Sequence, residues 1–216
     1  MPVKVKSPLI DFYGLRTPFR CGLFGSSRTG KSTMIYELLH QRQYFDQEFE
    51  VVYYCYPSVY YNNTDWHEKL DYCFEYLDNI PSKDYLANME SNSLVILEDC
   101  WYNCCNDPNI RDLFKVLSGK RNISIFITSQ NPYEGGTDAR TIRNNLNYYF
   151  LFRNLGDHQI NRRLCQQLGL LDRYEAANME ARKRKYASVF LNLDVQLDNE
   201  ELRVSSNVLE LPVVTV

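Results

Sequence analysis

Residues 25–32 read Gly-Ser-Ser-Arg-Thr-Gly-Lys-Ser, which matches G-x-x-x-x-G-K-[ST] in full. The chemistry explains the spacing. Gly25 and Gly30 let the backbone fold closely around a phosphate, so that successive N–H groups point inward. A helix starting there adds positive potential. Lys31 would bridge the β- and γ-phosphates of a nucleotide, and Ser32 would offer its hydroxyl to Mg²⁺. Ser26, Ser27, Arg28, Thr29 and Thr33 complete the nucleotide-facing run. The plain alternative is a glycine-rich strand–helix turn with no ligand.

Leu94-Val-Ile-Leu is followed directly by Glu98 and Asp99. A phosphate-cleaving site needs one carboxylate for the metal and a second group to orient or deprotonate water. By position, Glu98 serves the metal and Asp99 the water. The order Glu-Asp also allows the two roles to be exchanged. Further on, Lys120 and Arg121 precede an apolar run at 123–128, and Gln130 follows it. A strand beside the phosphate loop puts Gln130 near the γ-phosphate. Arg121, at that strand's other end, does not easily reach the same nucleotide; in an oligomer it could reach that of a neighbouring subunit, as an arginine finger in trans. The alternatives are a turn residue and a solvated charge.

These groups need a sheet to position them. Apolar or aromatic runs predict strands at 19–24, 49–56, 94–97, 123–128, 148–152, 187–193 and 202–205. Helices are expected at about 31–41, 66–77, 83–89, 108–117, 158–168 and 173–184. Alternation of strands and helices implies βαβ units and a mainly parallel, covered sheet. Residues 1–18, with Pro2, Pro8 and Pro18, read as an extended arm. Residues 19–216 read as a single α/β domain, a size that fits 216 residues.

A net charge of −3 excludes a uniformly basic nucleic-acid-binding surface. A DNA partner has to be held by local patches or by the inside of a ring. The densest basic run is 182–185, with Arg162-Arg163 a weaker one; a solvated helix end is the plainer reading of both. Seven cysteines without a C-x-x-C suggest buried thiols in a reducing, intracellular compartment. His40, His67 and His158 are too dispersed to suggest a metal site. Tyr60, Tyr61 and Trp66 read as packing rather than contact residues. The first residues carry no apolar run of signal-peptide length, and nothing approaches a membrane-spanning stretch.

The pieces GSSRTGKST (25–33), LVILED (94–99), KRNISIFITSQNPY (120–133) and RTIRNNLNYYFLFRNLGD (140–157) resemble the FtsK–HerA superfamily. Within it, they are similar to the DNA-packaging ATPases of Polinton/Maverick elements, adintoviruses and virophages. The resemblance covers roughly residues 19–170. It implies a RecA/ASCE-like P-loop NTPase fold in which one strand separates the P-loop strand from the Walker B strand. It implies ATP and Mg²⁺ as cofactors, and translocation of double-stranded DNA by a homo-oligomeric ring. Capsid or portal proteins, at a viral assembly site, are the further partners it implies. In that superfamily a glutamine follows the strand after Walker B and an arginine finger lies near that strand's start. These map onto Gln130 and Arg121, with Lys120, Arg140 and Arg143 as rival fingers. Asn154-Leu-Gly-Asp157 resembles an N-x-x-D element of the family. Two other readings stay open: a nucleoside or nucleotide kinase with an Arg-rich lid at 173–185, and a non-catalytic nucleotide-binding assembly protein.

Overall fold

The computed structural model describes residues 14–56, 65–154, 156–184, 186–197 and 199–206, and the backbone of 214–215. Most of the expected arm, Tyr60, Tyr61 and Lys185 lie outside the described residues. In chain order the elements are β1 (Arg20–Phe24), α1 (Lys31–His40), β2 (Val52–Cys55), α2 (Trp66–Lys69), β3 (Phe74–Leu77), α3 (Lys83–Asn88) and β4 (Leu94–Leu97). There follow α4 (Trp101–Cys104), α5 (Pro108–Asp112), α6 (Ser118–Arg121), β5 (Ser124–Ser129), α7 (Ala139–Asn144) and β6 (Tyr148–Phe152). Then come α8 (Gln159–Gln167), α9 (Leu171–Ala181), β7 (Ser188–Asn192), β8 (Val204–Ser206) and β9 (Val214–Thr215). A wide π-turn at Leu113–Leu117 joins α5 to α6.

The strands form one sheet in the order β3-β2-β4-β5-β1-β6-β7-β8-β9. The six strands from β3 to β6 are parallel, and the last three pair antiparallel. β5 separates β1 from β4, which is the spacing the resemblance implies.

The strand residues point alternately to two cores. Leu94, Ile96, Phe126 and Phe150 join Ile35, Leu38 and Leu39 of α1 on one face. Val95, Leu97, Ile125 and Ile127 join Trp101, Ile110, Phe114, Ile142 and Leu164 on the other. All four β4 side chains are fully buried, which is why that strand reads as an unbroken apolar run. Each such burial stabilises the fold by roughly 1.5–3 kcal/mol. Asp107 caps α5 by accepting from the Asn109 and Ile110 amides at 2.7 and 3.4 Å, with Pro108 in the first turn.

One helical expectation is corrected. Residues 66–77 form only the single turn α2 and then β3, which pairs with β2 in parallel register. Trp66, Leu70, Cys73 and Leu77 fall at helical spacing. However, Phe74 and Tyr76 gain more by stacking on each other and packing Tyr76 against Tyr54 at the sheet edge. The short helices α4 and α7 carry no strong sequence period and were not expected.

Candidate nucleotide site

The loop at 25–32 leaves β1 and enters α1. The Gly25 amide donates to the Ser129 carbonyl at 3.1 Å, extending the β1–β5 register by one residue. A Cβ on Gly25 would lie 2.5 Å from the Phe152 Cβ, so only glycine fits between β1 and β6. Arg28 and Gly30 both take left-handed backbone, with φ of 60° and 102°, and these two reversals curl the chain. Thr29 Oγ1 closes the curl by donating to the Ser26 carbonyl at 2.7 Å. The first helical bond, from the Met34 amide to the Gly30 carbonyl, is 2.8 Å. The N–H groups of the first turn of α1 have no intrahelical acceptor.

Lys31 is buried and its Nζ donates to the Gly25 and Ser26 carbonyls at 2.9 and 3.0 Å. Burial pulls its ammonium below the ordinary lysine value, while the charges of Asp99 and Glu98 oppose that shift.

Glu98 follows β4 and is almost fully buried. Its amide donates to the Cys55 carbonyl at 2.9 Å, which sets the side chain at the strand end. The carboxylate accepts from the Ser32 hydroxyl on one oxygen and from the Tyr54 hydroxyl on the other. Desolvation raises its pKa to about 7. The Asp99 charge adds to that rise, and the Ser32 hydrogen bond and Lys31 act against it.

Asp99 is exposed and left-handed, with φ 49°. Its amide donates to Thr128 Oγ1 at 3.0 Å, and Thr128 is paired with Leu23 of β1. The backbone therefore turns the second acid out of the core beside the loop. Gln130 is exposed and directly follows Ser129, the partner of Phe24 in the β1–β5 ladder.

The structure thus gathers Lys31, Ser32, Glu98, Asp99 and Gln130 past the carboxyl ends of the interior strands β1, β4 and β5. Arg121 lies at the other end of β5. Its guanidinium donates to the carbonyls of Leu86, Ala87 and Met89, closing the end of α3. Lys120 and Arg140 are exposed, and Arg143 donates to the Pro132 carbonyl at 2.8 Å. Arg143 and Arg163 also stand over the Tyr133 ring, at 4.4 and 4.7 Å from its centroid. In the basic run, Lys183 pairs with Glu180 at 2.6 Å on the exposed end of α9. Trp66 is buried against Tyr54, as its packing reading expects.

Two contributors escaped sequence reasoning. Tyr54 sits in an aromatic strand run with nothing to distinguish it from its neighbours. Asn154 Oδ1 accepts from the Ser26 hydroxyl at 3.0 Å and from the amides of Gly156 and Asp157 at 3.1 Å each. Its Nδ2 reaches the Gln130 carbonyl at 3.5 Å. The N-x-x-D resemblance flagged this residue but gave it no contact.

No family model matches the sequence, and neither does any curated protein. Solved structures do match. The genome packaging NTPase B204 from Sulfolobus turreted icosahedral virus 2, in complex with ATP-gammaS, superimposes with a TM-score of 0.55 at 11% identity. That match covers 88% of this chain and 97% of B204. Its complex with AMPPCP gives 0.56 at 11% identity, covering 88% and 96%. Its complex with sulfate gives 0.56 at 14% identity with the same coverage. This chain has the P-loop NTPase fold. In this fold, the Ser32–Glu98 contact joins the loop after β1 to the end of β4. Among the described residues, no helix is long and apolar enough to cross a membrane.

Proposed function

We propose that the chain is a Mg²⁺-dependent ATPase that drives double-stranded DNA into a viral capsid as a ring of identical copies. The observation that carries the reading is the direct bond between Ser32 and Glu98, with Asp99 turned outward beside it. The name of B204, a genome packaging NTPase of matching fold, supports the packaging role.

A hydroxyl and a buried carboxylate that converge on one point are the hard oxygen donors Mg²⁺ prefers. Ser32 and Glu98 would hold the ion, which supplies charge neutralisation at the phosphate oxygens when bound. Lys31 leaves its two loop carbonyls to bond the terminal phosphates. Backbone amides of 26–33 hold the phosphate chain in place. Asp99, exposed and adjacent, accepts the proton of the attacking water. Gln130, just past the end of β5 beside β1, reads whether the γ-phosphate is present. A neighbouring copy completes the site with a cation. Arg121 serves in that role once it releases the carbonyls of α3; Lys120, Arg140 and Arg143 are the other candidates.

ATP turnover of the purified chain, measured across protein concentrations with and without double-stranded DNA, tests the reading. Turnover per chain should rise with concentration and with DNA. Lys31→Ala should lower it by about a hundredfold or more. Transfer of phosphate to a nucleoside instead of water would make the chain a kinase. Binding without turnover would make it an assembly protein.

A further inference from the structure

We propose that Tyr186 is the platform on which the base of the bound nucleotide stacks. This deepens the nucleotide reading above and rests on it.

Tyr186 lies against the phosphate loop itself. A Cβ placed on Gly30 would be 3.3 Å from the Tyr186 Cβ and 3.6 and 3.7 Å from its Cδ1 and Cγ. Yet the residue is 57% exposed, so contact with the loop leaves much of it open to solvent. Its backbone is left-handed, with φ 64°, a region that bulky residues seldom enter and glycine enters freely. An aromatic side chain thus stands, partly open to solvent, at a backbone position that favours glycine, beside the glycine that starts α1. Such outliers gather at ligand sites.

The topology says which part of a nucleotide would meet it. Glu98, Asp99 and Gln130 crowd the β4 and β5 flank of the loop, and that flank must face the terminal phosphate. The rest of the nucleotide leaves over the opposite flank, toward β6 and β7. Tyr186 stands there, two residues before β7. Asn154, just past β6 and bonded to Ser26, lies on the same flank. Every base has a π-face, so stacking gives affinity without strict base choice. The implied ligand class is a nucleoside triphosphate of relaxed base identity.

The test is calorimetric binding of Mg-ATP and of Mg-tripolyphosphate, which lacks base and ribose, to the full chain and to two variants. Tyr186→Gly removes the ring at a backbone angle that suits glycine, so the variant should keep the parent's melting temperature. It should weaken ATP by about tenfold or more and leave tripolyphosphate within about twofold. Tyr186→Phe should bind both like the parent. ATP binding by Tyr186→Gly equal to the parent's would overturn the proposal, as would an equal loss of both ligands. A parent chain that binds neither ligand sinks the nucleotide reading itself, and this inference with it.

Discussion

The Ser32 hydroxyl, in the first turn of α1, donates directly to the Glu98 carboxylate just past β4, although β1, which leads into α1, and β4 are not neighbours. β5 lies between them, and the contact crosses over its end. Two residues 66 positions apart in sequence are brought together only by the parallel order of three buried strands.

That carboxylate makes stability depend on pH. Burial raises its pKa from 4.5 to about 7, so between those values the folded chain keeps a proton that the unfolded chain has lost. The stabilising contribution is complete below about 4.5 and falls away as pH rises through about 7. Glu98→Gln keeps the shape without the charge. Its unfolding free energy should therefore gain on the parent's as pH goes from 5 to 8, by on the order of 3 kcal/mol at most. A constant gap across that range would count against the buried carboxylate.

Tyr54→Phe removes the other donor to Glu98. The ring should stay packed against Trp66, 5.0 Å away, so stability should change by only about 1 kcal/mol. Turnover should fall by roughly tenfold, because Glu98 is then aimed by Ser32 alone. Steady-state kinetics beside a urea titration separates the two effects.

Gly25→Ala puts a methyl carbon 2.5 Å from the Phe152 Cβ and 3.3 Å from its carbonyl carbon. Two strand backbones would have to part, so the cost should be about 1–3 kcal/mol. Urea unfolding should show it, and Gly119→Ala, where nothing lies within 4 Å of the new carbon, is the control.

Arg121→Ala strips three carbonyls of their donor and should destabilise the fold by about 1–3 kcal/mol. Its role in trans has a separate readout. Mixing this variant with Lys31→Ala should restore turnover, since each chain supplies what the other lacks. No restoration leaves Arg121 as the clasp of α3 alone.

Much of this was legible in the residues. Leu94–Leu97 and Tyr148–Phe152 announced themselves because strands buried on both faces need unbroken apolar runs. The phosphate loop was legible because its glycines answer to local sterics. β3 was not: Trp66, Leu70, Cys73 and Leu77 fall at helical spacing and masked a four-residue strand at the half-exposed sheet edge. Tyr54 and Asn154 were hidden for another reason. Their importance lies in partners 44 and 128 residues away, and no local pattern encodes that distance.

β5 has a further consequence. Six residues at about 3.3 Å each make a rod roughly 20 Å long, clamped by ladders on both sides. Such a rod cannot bend to carry a message; it can only slide or tilt as one piece. In the proposed ring, this one strand would tie the position of Gln130 just past one tip to the Arg121 end, where a neighbouring copy would lie.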